Sequence, residues 1–486
     1  MDFVEYRGFD AVALAALLRR REVTPRELLE IALARAEEVQ PRLGAITVWD
    51  LEFAERGLQA LPQAAPFAGV PFLLKDLYAF LEGTRFTNGS RLTRDLRADF
   101  TATLFSRILR AGFVPFAKTN TPEFGENVVT EPLLHGPCRN PWNGDFSPGG
   151  SSGGAAAAVA AGVVPLAHAT DGGGSIRIPA SHCGLVGLKP SRARVPIGPV
   201  VVEAWSGLAT GLALARSLRD LALFLDAVHG PEPGDFYACP PPRGPFAAAL
   251  ARPPAQLRIG LLLEPAVAVA VEPAVRHAVL AIARLLEQMG HIVEETRFPL
   301  DGERFAEAFL TVVATNSASE LDYWSTRTGR PLDEEHLERG TLALLEMGRR
   351  RSGVEFLRAL QTVQAAARLF GRLFARFDLL LSPVCAKPPP RIGEIDQNDR
   401  DVSRYLARTR PYVCFTSLHN ASGCPALALP AGQSPEGLPI GVMLAAPLGE
   451  EERLFALGAE LERELRWFQR TPPEPAGSEE AAQATE

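Results

Sequence analysis

Lysine is nearly missing from this chain: it stands only at positions 75, 118, 189 and 387, although the sequence holds 50 basic residues. Genomic base composition is the plain cause of so general a preference for arginine. The chemical consequence is sharper, because an amine can lose its proton inside a protein and a guanidinium cannot. A lysine with a chemical task is therefore sought among these four. Cysteine is held to six residues with no C-x-x-C pair, and the eight histidines are scattered, so no ligand spacing of the zinc kind is present. A metal-free protein of the reducing cytoplasm is the expectation. Positive charge is not in excess either: 50 Lys and Arg face 57 Asp and Glu, a net charge of −7. That excludes the field needed to hold a phosphate backbone, so no nucleic-acid partner is expected. Long apolar runs are also lacking. Residues 155–169 are broken by Gly162, Pro165 and His168 and fall short of the ~20 residues that span a bilayer. They read as buried core, and no membrane association is expected. The first residues, Met-Asp-Phe-Val-Glu, and the closing of the first apolar run in Arg19, Arg20 and Arg21 do not read as a secretory signal.

What is present suffices for a large core: 486 residues, 47% hydrophobic and 22% charged. Apolar periodicity over 11–18 and a capping box in Thr24-Pro25-Arg26-Glu27 predict helices, the second running to about Val39. The run Val70-Pro71-Phe72-Leu73-Leu74 predicts a buried strand that delivers Lys75-Asp76 at its end. A helix over 101–111, a strand over 113–117, a helix over 152–161 and a strand over 163–167 follow. Residues 257–262, 273–289 and 291–295 read as strand, helix, strand, and 303–376 as an Arg-rich helical stretch able to form a semi-independent flap. Strands over 379–381, 426–429 and 440–444 and an amphipathic helix over 450–465 complete the pattern, with no internal repeat. This alternation predicts an α/β fold with a mixed or parallel sheet. Residues 231–254, rich in Pro and Ala, read as a surface connection, and 472–486 as a frayed polar tail.

The most unusual stretch is Ser147-Pro148-Gly149-Gly150-Ser151-Ser152-Gly153-Gly154, followed after a helix by Thr170-Asp171-Gly172-Gly173-Gly174-Ser175-Ile176-Arg177. No lysine follows the glycines as a P-loop requires, and Ser151 stands where a dinucleotide fingerprint starting at Gly149 needs its second glycine. Gly149-Gly150-Ser151-Ser152-Gly153 does fit the G-x-S-x-G nucleophile elbow of a serine esterase, with Ser151 as nucleophile. An elbow needs a strand leading into it, whereas residues 140–148 are turn chemistry throughout. A Gly/Ser run is also commonly just a flexible loop. Against that, Gly172-Gly173-Gly174 leaves its backbone N–H groups unobstructed and able to converge on an oxyanion, and the hydroxyl of Ser175 follows directly. Ser175 is thus a candidate nucleophile. With no histidine in the motif, Lys75 is the candidate base.

These motifs, with Gly69-Val70-Pro71-Phe72-Leu73-Leu74-Lys75-Asp76 and Gly184-Leu185-Val186-Gly187-Leu188-Lys189-Pro190, resemble the amidase signature family. The likeness extends through Asn120-Thr121-Pro122-Glu123-Phe124-Gly125, Leu214–Asp220 and Gly437–Val442, so it covers nearly the whole chain. It implies an amidase-signature fold, a large mixed twisted β-sheet flanked by helices. One amidase domain over 1–471, with a signature core at about 65–220, goes with it. It also implies carboxamide hydrolysis by a Ser–cisSer–Lys triad: Ser175 as nucleophile, Ser151 after a cis peptide bond as proton relay, Lys75 as base. Gly172, Gly173 and Gly174, with the Ser175 N–H, would form the oxyanion hole. Asp171, Arg177 and Thr170 take supporting roles, the first two as an ion pair. No cofactor or metal is implied, the partner is a small amide, and a homodimer is compatible with the resemblance. Within the family, the string around Ser175 is similar to the branch that hydrolyses cyclic nylon-type amide oligomers such as 6-aminohexanoate cyclic dimers. Departures stand at Gly172, Ala155 and Ala193, where other residues are commoner.

Lys118 and Lys189 read as structural tethers, and Asp76 as a turn or hydrogen-bonding residue. His182 and Cys183 read as packing, and Glu123, Asn127 and His135 as capping or loop groups rather than pocket lining. Pocket walls are expected from 121–132, 204–210, 305–323 and 414–424. Two other functions use or resemble this chemistry, the glutamine-hydrolysing subunit of a tRNA-dependent amidotransferase and the serine esterase named above. A third, a silent binding protein on the same scaffold, is disfavoured by intact Lys75, Ser151 and Ser175.

Overall fold

The computed structural model describes residues 1–474 apart from Gln63 and Val202. Among the described residues eleven strands form one sheet: β1 Ile46–Trp49, β2 Pro71–Lys75, β3 Val114–Thr119, β4 Leu166–Asp171, β5 Val186–Lys189, β6 Thr210–Ala215, β7 Arg258–Leu261, β8 Ile292–Glu295, β9 Leu379–Pro383, β10 Ala426–Gln433 and β11 Pro439–Ala445. Their order is β1-β3-β2-β4-β6-β5-β10-β11-β9-β7-β8. β3, β2 and β4 run parallel, as do β9, β7 and β8, and the pairs between these two blocks are antiparallel. The sheet is therefore mixed, with helices on its faces, and among the described residues its core is a large apolar cluster reaching from Tyr6 to Trp467, with a small satellite at Val275, Ala278 and Ile440.

β2 is buried at every position, its apolar run 71–74 lying between parallel neighbours and its last residue, Lys75, buried with it. Its register pairs Lys75 with Thr119 of β3 and Leu73 with Ala167 of β4. Lys75 and Asp171 therefore emerge at the carboxyl ends of adjacent parallel strands, the edge of such sheets where ligands bind. The helix Gly153–Ala160 that precedes β4 is buried along its whole length. Its opening glycines are demanded by packing: a Cβ on Gly154 would sit 2.3 Å from the backbone nitrogen of Asn120.

The strand expected over 163–167 is displaced to Leu166–Asp171. Gly162 takes a positive φ of 79°, and Pro165, which has no N–H to give a ladder, ends the turn before the strand starts. β1, β5 and β6 are unannounced by periodicity. β6, Thr-Gly-Leu-Ala-Leu-Ala, has little β propensity and is a strand because β4 and β5 flank it. The capping box at Thr24 is formed, and the helix it opens, Pro25–Leu43, runs past Pro41. Residues 303–376 hold three helices, Gly302–Thr328, Arg339–Arg349 and Gly353–Phe374. The connection at 231–254 is partly anchored: Phe246 is buried and Asp226 caps the N–H groups of Phe246 and Ala247 at 2.7 and 2.9 Å. Of the tail expected from Pro472, residues 475–486 lie outside the described residues, while Glu474 reaches back to pair with Arg35 at 2.9 Å and with Arg7. No helix among the described residues is long and apolar enough to cross a membrane.

Candidate active site

The end of β2, the loop before helix Gly153–Ala160 and the loop after β4 meet on one side of the sheet. Lys75 is fully buried, with its Nζ 2.7 Å from Ser151 Oγ and 2.8 Å from Thr170 Oγ1. Burial holds its amine well below the ordinary lysine value, against the opposing charge of Asp171. A neutral amine can accept a proton, so the contact with Ser151 is the arrangement a base requires. The peptide bond before Ser151 is cis. No strand leads into Ser151, as an esterase elbow would need.

Beyond β4, Gly172, Gly173, Gly174 and Ser175 form the turn into helix Arg177–Cys183. None of their four N–H groups has an acceptor among the described residues. Gly174 adopts φ 139°, and a Cβ there would stand 2.5 Å from Thr416 Oγ1, so only glycine fits. The Thr416 hydroxyl donates to the Gly173 carbonyl at 2.6 Å. Ser175 and Ser151 line the same cavity, and among the described residues no hydrogen bond joins their side chains. The backbone links the two segments instead, Ser152 N donating to the Ser175 carbonyl at 3.3 Å.

The loop is held from beneath by a buried fork. Arg177 Nε and Nη2 reach Asp171 Oδ2 and Oδ1 at 2.9 and 2.8 Å, both side chains being fully buried. Burial alone would raise the Asp171 carboxyl, yet the Arg177 charge and hydrogen bonds bring it down to about 2. Asn420 adds a bond from Nδ2 to Asp171 Oδ1 at 2.8 Å and accepts from Arg177 Nη2 at 2.7 Å. Thr416 and Asn420 were not foreseen; they lie some 240 residues away in sequence, and no spacing could signal them.

The other singled-out residues take the plainer roles. Lys118 binds Asp50 at 2.8 Å and the Thr84 hydroxyl at 2.7 Å. Lys189 donates to the Pro190 carbonyl at 2.7 Å, and burial, then the Arg177 charge, bring its amine down to about 7. Asp76 accepts from Thr87 N and Oγ1, while burial pushes its carboxyl up to about 6. Glu123 caps Glu338 N at 2.7 Å, Asn127 Oδ1 accepts from Val128 N at 2.8 Å and His135 meets Thr87. His182 and Cys183 are buried, and burial lowers the His182 imidazole to about 3.

A cavity of about 480 Å³ opens over Ser151, Thr170, Gly172 and Ser175. Three expected segments supply walls: Phe124 and Gly125; Ala204, Trp205, Ala209 and Thr210; and Asn316, Ser319, Glu320 and Tyr323. The fourth expectation is corrected, because 414–424 contributes no lining residue and instead packs behind the glycine loop through Thr416 and Asn420. Two segments that went unpredicted, 77–105 with its aromatic Tyr78, Phe80 and Phe86, and 196–201, take its place. Trp205 and Ser206 adopt left-handed φ of 49° and 52°, a costly conformation for such residues. They bring the indole against the glycine loop, where a Cβ on Gly172 would lie 2.9 Å from the ring.

A family profile described as Amidase matches residues 27–455. A 6-aminohexanoate-cyclic-dimer hydrolase of Paenarthrobacter ureafaciens is 38% identical over 476 residues, covering 95% of this chain and 96% of that protein. A glutamyl-tRNA(Gln) amidotransferase subunit of Azotobacter vinelandii is 33% identical over 484 residues, covering 94% and 98%. The solved structure of a 6-aminohexanoate cyclic dimer hydrolase complexed with substrate superposes with a TM-score of 0.91 at 36% identity, over 96% of this chain and 99% of that one.

Proposed function

Because this chain belongs to the amidase signature family and hydrolyses carbon–nitrogen amide bonds, we propose that it does so through a seryl acyl-enzyme, with Ser175 as nucleophile, Ser151 as relay and Lys75 as base. The observation that carries the reading is the buried Lys75 amine, depressed in proton affinity and in contact with Ser151 at 2.7 Å. Rotation of the Ser175 side chain toward Ser151 closes the relay, a tightening that catalytic hydrogen bonds commonly make only when substrate is bound. Ser175 Oγ then bonds to the carbonyl carbon as its proton passes to Ser151 and the Ser151 proton passes to Lys75. The oxyanion is met by the free N–H groups of the glycine loop. Collapse breaks the C–N bond, with the Lys75 proton returning through Ser151 to the departing nitrogen. Water repeats the sequence on the ester and releases the acid and Ser175.

The substrate class is a non-peptide linear or cyclic amide of small size, in keeping with the activity named for the 38% relative and with an aromatic, largely apolar cavity. The reaction is assigned to the cytoplasm and to one amidase domain over 1–471, with its signature core at about 65–220. A second reading, the glutamine-hydrolysing part of an amidotransferase, rests on the 33% relative; full turnover of simple amides by the isolated chain excludes it. The decisive experiment is labelling with a fluorophosphonate followed by peptide mapping. Modification of Ser175 is expected. Modification of Ser151 would favour the esterase elbow, and an unlabelled, inactive chain would overturn the reading.

A further inference from the structure

The helix Gly302–Thr328 presents Asn316, Ser319, Glu320, Tyr323 and Arg327 to the cavity, one face at the helical spacing of three to four residues. Among them Glu320 carries a carboxyl group that makes no ion pair among the described residues. Its Oε2 accepts from the Tyr78 hydroxyl at 2.7 Å and its Oε1 from Trp324 Nε1 at 3.1 Å. An indole N–H can only donate, so Oε1 is fixed as an acceptor, and the carboxyl lines the cavity with hydrogen-bonding capacity beyond these two contacts. Its two donors are themselves held: Tyr78 N donates to Asn88 Oδ1 at 2.8 Å, and Trp324 is buried. Arg327, the one cation among the lining residues described, is committed to Asp99 at 2.7 Å and to the Tyr323 hydroxyl at 3.2 Å. The other charges facing the cavity are Asp99 and Glu203. Behind the wall, Glu126 accepts from Ser317, and its Oε2 is buried without a partner. Burial raises both Glu126 and Glu320 above the ordinary carboxylate range. The carboxyl groups of Asp99, Glu203 and Glu320 thus outnumber the single paired cation in a site otherwise aromatic, which favours a donor or cation on whatever enters.

We propose that Glu320 is a recognition subsite for a second nitrogen of the substrate, an amine or amide N–H carried beyond the scissile carboxamide. The proposal rests on the amide-hydrolysis reading and narrows its substrate class to amides bearing a further N–H donor. Glu320 touches no reacting atom in this scheme; it selects and orients.

The test uses two probes of equal length, an ω-aminoalkanamide and the alkanamide in which methyl replaces the terminal amine. For the full-length protein kcat/KM is expected to be at least tenfold higher for the amine. In Glu320→Gln the ratio is expected to fall at least fivefold, and in Tyr78→Phe, which removes one orienting donor, by a smaller factor in the same direction. Fluorophosphonate labelling of Ser175 in each variant reports a folded site. Turnover of both probes at a ratio near one, or an equal loss on both in Glu320→Gln, overturns the subsite while leaving the hydrolase reading intact. If Glu320→Gln does not fold, the wild-type ratio alone decides. No turnover of either probe and no labelling would instead count against amide hydrolysis.

Discussion

Lys75 joins the base role proposed for it to a cost in stability, both arising from its burial. Its proton affinity is depressed below the unfolded value of 10.5 because burial penalises the charged form. Between the folded and unfolded values the unfolded chain binds a proton that the folded chain does not, so stability rises with pH across that window. Lys75→Met removes the dependence. The variant is expected to lose at least about a hundredfold in kcat, as for loss of a general base, while its Tm at pH 7 equals or exceeds that of the wild type. That gain should shrink as pH approaches 10.5. Catalysis has the same direction, falling as the pH is lowered through the folded value and the amine takes up a proton. Paired pH profiles of kcat and Tm check both; an active Lys75→Met, or a rate that does not fall on acidification, would contradict the base assignment.

At the scale of elements, strands and helices with clear period were legible, and so were the three residues proposed to carry the chemistry. Lys75 stood out by scarcity and Ser175 by its glycines, because local backbone demands leave local marks in sequence. β6 was not legible, since Ala and Gly take strand form only when neighbours impose it. Nor was the meeting of Trp205 with Gly172, which joins two loops through a ring contact. Gly172→Ala is expected to displace the indole, since its Cβ would lie 2.9 Å from the ring, and to lower kcat/KM. Gly172→Ala with Trp205→Ala is expected to recover at least tenfold over the single variant. A double variant no better than the single one would show that Gly172 is needed for another reason.

Across the whole molecule the loop that bears Ser175 is fastened to the far end of the chain by the fork of Arg177, Asp171 and Asn420. Removing one member of a buried charge pair leaves the other unpaired in low dielectric, at a cost of about 3–5 kcal/mol. Arg177→Met is expected to show that loss in denaturant unfolding, against a negligible change for Arg350→Ala, whose pair with Glu346 is exposed at 3.2 Å. A loss below about 1 kcal/mol would mean that Asn420 and backbone donors alone carry Asp171. The same long-range construction gives the molecule a division of labour. Lys75, Ser151 and Ser175 come from one stretch of the chain, while Asn316, Ser319, Glu320 and Tyr323 on the opposite wall come from a helix that begins more than a hundred residues later. With the roles proposed above, drift along that helix retunes which molecules are accepted while the proposed relay stays fixed, so exchanging residues 302–328 between related chains is a route to new selectivity from old chemistry.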